Sequence, residues 1–281
     1  MKLGVFAKTY QRTSLEATLD AVQADGINLI QLKMTSVGLP TLPEQIPQSI
    51  IDRIKRATES RGITIAAISA TYNMAHPDPA VRDRGTKRLR VLANAAKSLG
   101  VPMLSLCTGT RNLDDIWSYH PDNELDEAWE EMFVTIDHAL KITEDSGVNL
   151  AIEPEPGNIV KDAVEARALI KDLDHPRLGS IIDPANLVAL ESSPTTTEIM
   201  AEAVSLLGDF LFMVHAKDCT KAAIVLPPGQ GIVPWERFLW QLHEIGFDGP
   251  LMMHGFDEAE VPGAVSYLSP IIANLSSPEQ H

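Results

Sequence analysis

Cysteine is scarce in this chain: Cys107 and Cys219 are its only two. Each sits beside a strand-like run and they share no motif spacing, so neither a disulfide framework nor a zinc knuckle is implied. Aromatic residues make up 5% of the chain against 44% hydrophobic residues in all, so the core must be mostly aliphatic. Positive charge is in short supply, with 23 Lys and Arg against 38 Asp and Glu and a net charge of −15. Such a surface repels phosphate backbones and anionic lipid heads, which argues against nucleic acid and membranes as partners. No apolar run approaches the ~18 residues of a membrane span. Met1 to Ala7 enters a strand-like run without the layout of a signal peptide, so a cytoplasmic protein is expected. Also missing is a glycine-rich phosphate turn after the first strand. That segment reads Lys8-Thr9-Tyr10-Gln11, which counts against a dinucleotide-binding open sheet.

What is present is a repeated alternation of short apolar runs and longer helical patterns. Strands are predicted at Leu3 to Ala7, Asn28 to Met34, Ile63 to Ala70, Met103 to Cys107, Asn149 to Ile152, Leu178 to Ile182, Phe210 to Val214 and Pro250 to Met253. Helices are predicted from Ser14 to Ala24, Gln48 to Ser60, Pro79 to Leu99, Asp126 to Asp145, Lys161 to Leu173, Thr197 to Leu207, Trp235 to the stop at Gly246, and Val265 to Leu275. Ser14 is a good N-cap, and Gly26, Gly62, Gly100 and Gly147 stand where helices should stop. Eight strand–helix units in 281 residues, without a linker, predict a single-domain α/β chain over 1–281, a closed (β/α)8 TIM barrel.

Chemistry in such a barrel gathers where strands end and loops begin. Four apolar strands end in one carboxylate or imidazole each: Ile152-Glu153-Pro154-Glu155, Ile182-Asp183-Pro184-Ala185-Asn186, Val214-His215-Ala216-Lys217-Asp218 and Met253-His254-Gly255. The intervals of 30, 32 and 39 residues are about one strand–helix unit each. Adjacent strands lie about 4.8 Å apart, so Glu153, Asp183, His215 and His254 can converge on one ion. Mixed oxygen and nitrogen ligands suit Mn²⁺, Co²⁺, Zn²⁺ or Mg²⁺. A lone carboxylate after a strand is more often a helix N-cap, and Asp183 by itself reads that way; four such residues in register do not. Glu155, Asn186, Lys217, Arg111 and His76 are further rim residues that could contact a substrate. Asp218 and Asp257 read more simply as caps of following turns. Trp117 and His120 lie in a long loop of the kind that covers substrates.

At these residues the sequence resembles the sugar phosphate isomerase/epimerase family of xylose-isomerase-like barrels. The likeness rests on Leu150 to Glu155, Ile182 to Asn186 and Val214 to Asp218, with Gly229-Gln230-Gly231-Ile232-Val233-Pro234-Trp235 and Gly246 to Pro250, and it spans nearly the whole chain. The resemblance implies a divalent metal held by Glu, Asp, His and Glu from strands five to eight. Glu153, Asp183 and His215 match the first three, but His254 stands where the fourth glutamate belongs. In the ketose epimerases of the family the first and last glutamates also exchange the substrate proton, so only Glu153 remains for that role in the familiar way.

The resemblance implies proton transfer next to the carbonyl of a polyhydroxy substrate, with Glu153 as ligand or base and His254 as a ligand or the opposing acid or base. Exchanging carboxylate for imidazole removes a negative charge from the shell and should favour Mn²⁺, Co²⁺ or Zn²⁺ over Mg²⁺. Three rivals stand beside this reading. His215-Ala216-Lys217-Asp218 resembles a run in lyases of the inosose-dehydratase type. The missing glutamate fits a non-catalytic sugar-binding barrel with a degenerate metal site. The metal nucleases of this fold need basic rims that the charge of −15 opposes. The expected partners are a small carbohydrate and further copies of the chain, as a dimer or tetramer.

Overall fold

Short apolar strands that are buried on both faces need helices outside them and packed side chains within. The computed structural model, which describes residues 1–188 and 195–275, meets this need with a closed barrel. In chain order the strands are β1 (Lys2–Phe6), β2 (Leu29–Leu32), β3 (Thr64–Ser69), β4 (Met103–Leu106), β5 (Asn149–Ile152), β6 (Leu178–Ile182), β7 (Leu211–Ala216), β8 (Asp218–Cys219), β9 (Val225–Leu226) and β10 (Pro250–Met253). The helices are α1 (Leu15–Ala24), α2 (Gln48–Glu59), α3 (Pro79–Leu99), α4 (Asp126–Ser146), α5 (Ala163–Leu173), α6 (Pro184–Val188), α7 (Thr196–Leu207), α8 (Trp235–Glu244) and α9 (Val261–Leu275). All strands but β8 and β9 form the barrel, in the order β1-β10-β7-β6-β5-β4-β3-β2, and β1 pairs in parallel with β10 to close it.

Helix boundaries follow local chemistry. Ser14 caps α1 by accepting from Ala17 N, and Asp78 caps α3 with Pro79 in the first turn. Asp162 caps α5, and Thr195 and Glu198 form a capping box on α7. Gly100 and Gly147 end α3 and α4 in the left-handed region. No described helix is long and apolar enough to cross a membrane.

Two sets of apolar residues result from strand alternation. Outward-facing residues such as Val5, Ile30, Leu104, Leu150, Ile182, Val214 and Leu251 join the large core between strands and helices. Inward-facing Leu29, Ala67, Met103, Ala151, Ile181, Met213 and Met252 form a separate cluster inside the barrel. Gly4 is the eighth position of that layer, and it has no room for more: a Cβ there would lie 2.7 Å from both Leu29 O and Met252 Sδ. Two residues further along each strand, the inward positions are Phe6, Gln31, Ser69, Ser105, Glu153, Asp183, His215 and His254. An apolar plug thus forms the floor, and a polar ring lies on top of it.

Three features depart from the sequence expectation. β7 runs on to Ala216, so His215 belongs to the strand and not to the loop beyond it. Asp183 is followed at once by the one-turn helix α6, and Lys217 by the β8–β9 hairpin. The last helix starts at Val261, four residues before the predicted Val265.

Candidate metal centre and cavity

The inward ring, Asp183 apart, lines a cavity of about 280 Å³, walled also by Lys8, Lys33, Thr41, Thr71, Cys107, Ile116, Trp117 and Glu155. A wider groove of about 380 Å³ runs outside the barrel, with Arg82, Glu131 and His138 of α3 and α4 on its walls. The chemistry lies in the smaller cavity. Glu153, His215 and His254 line it, Asp183 is buried beside them, and each of the four offers a ligand atom within 4.8 Å of the others'.

Each of the four is prepared differently. One oxygen of Asp183 accepts from Ala185 N at 3.0 Å and from Asn186 N at 3.4 Å, which caps α6. The other, Oδ2, is buried without a hydrogen-bond partner, as is His254 Nε2, 3.5 Å away. The cap and ligand readings of Asp183 therefore divide between its two oxygens. Lys217 Nζ lies 2.7 Å from Asp183 Oδ2, an ion pair off the angle of a hydrogen bond, and donates to Asn186 Oδ1 at 2.7 Å.

His215 is fixed by a residue the sequence reading passed over. Gln31 Nε2 donates to Ser105 Oγ at 2.8 Å, which turns Gln31 Oε1 toward His215 Nε2 at 3.0 Å. His215 Nε2–H is the donor in that contact, so a neutral ring carries its lone pair on Nδ1. Nδ1 faces Glu153 Oε1 at 2.8 Å and Asp183 Oδ2 at 3.9 Å. Asn186 Nδ2 steadies Glu153 Oε1 at 3.3 Å, and Cys107 Sγ lies 3.8 Å from Glu153 Oε2. An imidazole lone pair that meets only the Glu153 carboxyl, and two buried atoms without hydrogen bonds, all converging, suit a cation with oxygen and nitrogen ligands.

The charge states follow from burial and neighbours. Burial, then the negative charge of Asp183, pushes Glu153 up to about 7. Burial and the adjacent Glu153 push Glu155 up to about 8. The two carboxyl groups approach within 4.8 Å, with Cys107 beside them, and like charges so close do not both ionise cheaply. Burial lowers His215 to about 3 and His254 to about 4, so both rings are neutral at pH 7. Burial alone would raise Asp183 and lower Lys217. Their mutual attraction, with the nearby histidines and glutamates, outweighs it and holds both groups charged.

The chain's fold and residues match the family model described as xylose isomerase-like TIM barrel over residues 19–270. The chain belongs to this family. Among curated relatives, the D-psicose 3-epimerase of Ruminiclostridium cellulolyticum is 23% identical over 214 residues, covering 73% of this chain and 68% of that protein. The D-psicose 3-epimerase of Agrobacterium fabrum is 24% identical over 212 residues, covering 72% and 68%. Among solved structures, a D-tagatose 3-epimerase-like protein superposes with a TM-score of 0.80 at 20% identity over 98% of both chains. The IOLI protein with a bound zinc atom gives 0.76 at 18% identity, covering 99% of this chain and 100% of that one.

Within this xylose isomerase-like barrel the remaining expected residues divide. Glu155, Asn186 and Lys217 lie in or against the cavity. Arg111 and His76 do not line it. Arg111 Nη1 donates to Glu131 at 2.6 Å and to the carbonyl of Ala75 at 3.1 Å, and so ties the loop after β4 to α4. His76 Nδ1 accepts from Asp78 N at the start of α3. His120 caps a short 3-10 turn by accepting from Asp122 N, and Asp257 caps another. Asp218 is fully buried and anchors a loop, accepting from the backbone N–H groups of Cys219, Gly229, Gly231 and Val233 and from the Trp235 indole. The residues missed were Gln31, a polar side chain inside an apolar strand, and Lys8 and Lys33, which follow β1 and β2.

Proposed function

We propose that the protein is a divalent-metal-dependent sugar isomerase or epimerase that moves a proton next to the carbonyl of a polyhydroxy substrate. The observation that carries this reading is the convergence of Glu153, Asp183, His215 and His254, with ligand atoms within 4.8 Å. The relationship to two D-psicose 3-epimerases supports it, and so does the zinc atom in the IOLI protein structure. The four residues would hold Mn²⁺, Co²⁺, Zn²⁺ or Mg²⁺. Bound there, a divalent cation supplies positive charge that acidifies the C–H beside a carbonyl and favours the enediolate.

The protein's own groups supply the rest. Glu153 is the base that takes the proton; a carboxyl raised to about 7 is matched to work near neutral pH. Glu155, raised to about 8, holds a proton beside it and hydrogen-bonds substrate. Lys217, held by Asn186 and Asp183, keeps a positive charge next to the developing oxyanion. Phe6, Ile116 and Trp117 limit water in the cavity. His254, neutral at pH 7, is assigned first to the metal.

A proton taken and returned by the Glu153–Glu155 pair interconverts an aldose and a ketose. Inversion at one carbon needs delivery from the opposite side, a role open to His254 only where Glu153, Asp183 and His215 hold the metal without it. The test is incubation of the metal-loaded protein with a panel of aldoses and ketoses in D2O, read by NMR and mass. Deuterium should enter beside the carbonyl, and Glu153→Gln should slow this at least about 10³-fold with the fold intact. Normal turnover by that variant would overturn the proposal. A product that has lost water would identify a dehydratase instead.

A further inference from the structure

The quartet uses the ends of β5, β6, β7 and β10, which is half of the barrel mouth. The other half carries the opposite charge. Lys8 follows β1 and Lys33 follows β2, and both side chains line the same cavity as Glu153 and His254. Neither ammonium has a hydrogen bond or ion pair among the described residues. Lys8 Nζ is placed only by the Phe6 ring, 4.4 Å from its centroid, and Phe6 in turn packs edge-on to His254. Lys8 stands exposed at the mouth of the cavity and Lys33 is half-buried; partial desolvation, then the nearby charge of Lys33, lowers the Lys8 pKa, so the two cations stand close enough to repel. Unpaired lysines occur elsewhere in the chain, but in a chain of net charge −15 these two stand close together and line one cavity.

A charge tally of the cavity gives a reason. Three carboxyls, Glu153, Glu155 and Asp183, face three ammonium groups, Lys8, Lys33 and Lys217. A divalent cation on the quartet leaves at least two positive charges in excess, and an imidazole at His254 in place of a carboxylate is one source of that excess. The hydroxyls of Thr41, Ser69 and Thr71 lie on the same lysine side and can donate to oxygen.

We propose that Lys8 and Lys33 bind an anionic group, a carboxylate or a phosphate, at the end of the sugar farthest from the metal, so that the substrate is a sugar acid or a sugar phosphate and not a neutral ketose. This rests on the sugar-site reading above and names its substrate class. The carbonyl end lies over Glu153 and the quartet, and the charged end crosses the cavity to the β1 and β2 rim. Two ammonium groups recognise an anion by charge and hydrogen bonding, each contributing about 10-fold in affinity.

The experiment is calorimetric binding of three non-reactive probes, glucitol, gluconate and glucitol 6-phosphate, to the Mn²⁺-loaded protein. It is repeated on Lys8→Gln/Lys33→Gln and on Lys55→Gln/Lys171→Gln, which removes the same charge from exposed helix positions. At least one anion should bind about 10-fold or more tighter than glucitol. Lys8→Gln/Lys33→Gln should erase that advantage while Lys55→Gln/Lys171→Gln keeps it. Which anion gains identifies carboxylate or phosphate. Equal binding of all three probes, no binding of any, or equal loss in both double variants would overturn the proposal. Lysine-dependent anion binding without turnover of any sugar would sink only the isomerase reading. Turnover blind to substrate charge would sink only this one.

Discussion

His254 stands where the resemblance implies a glutamate, and its chemistry is set by what surrounds it. Its Nε2 is buried, lacks a hydrogen bond, and lies 3.5 Å from Asp183 Oδ2. A cation between the two atoms would satisfy both, and the Nε2 lone pair would then face the metal while the ring proton sits on Nδ1. His254→Glu restores a third carboxylate to the quartet. It is expected to tighten Mg²⁺ binding relative to Zn²⁺, since hard Mg²⁺ gains most from an added oxygen ligand. Competition calorimetry with the two ions reads the shift, and an unchanged ratio would show that His254 does not touch the metal. Gln31 acts at one remove, by fixing which nitrogen of His215 is free. Gln31→Leu should lower metal affinity about 10- to 100-fold, the usual cost of losing such a partner, with the affinity largely regained in Gln31→Glu.

At the scale of elements, Asp218 shows how one side chain shapes a rim. Its carboxylate gathers four backbone N–H groups and the Trp235 indole, tying the β8–β9 hairpin to the start of α8. Asp218→Ala strands those donors and should cost about 3 kcal/mol or more in urea unfolding; a loss under about 1 kcal/mol would mean that the loop stands without it. Gly4 is the matching case on the barrel floor. Gly4→Ala drives a methyl against Leu29 O and Met252 and should cost about 1–3 kcal/mol by overpacking. The barrel strands and most helices were legible in the sequence because apolar runs, caps and stop glycines repeat with one period. The quartet was legible because a lone polar residue closed each of four apolar runs. The hairpin was not, since strands of two residues carry no periodicity. Gln31 was missed because one polar residue inside an apolar strand gives no signal until the barrel closes around it. Lys8 and Lys33 were missed because strands one and two end in bases with no chelating partner nearby in sequence. Arg111 looked like a rim residue for a sound reason, but Glu131, on a helix far along the chain, turns it away.

For the molecule as a whole, the fold keeps ionisable groups in a buried cavity, and its stability must depend on pH accordingly. Glu153 and Glu155 titrate higher in the fold, near 7 and 8, than their ordinary value of 4.5. The folded chain therefore holds protons that the unfolded chain has released, and stability falls as pH rises through that interval. His215 and His254 are lowered from 6.5 to about 3 and about 4, so their contribution is lost on the acid side, as pH falls below 6.5. Between pH 6.5 and 8 the carboxyls act alone. The metal-free protein should lose Tm across that window. A cation at 100 times its pH 6.5 Kd should add about 2.7 kcal/mol there, a rise in Tm of about 5 °C or more, and the same concentration should add more at pH 8, where the carboxyls give up their protons more readily. A Tm of the metal-free protein that climbs from pH 6.5 to 8 would mean that the carboxyls are not protonated in the fold.

Titration of the metal-free protein with Co²⁺, followed by its visible ligand-field absorption, tests the central claim most directly. Saturation at one equivalent is expected, with the signal abolished in Asp183→Asn and shifted in His215→Ala and in His254→Gln. Absence of a site, or a spectrum that all three variants share with the unaltered protein, would show that the four strand-end residues do not form a coordination sphere.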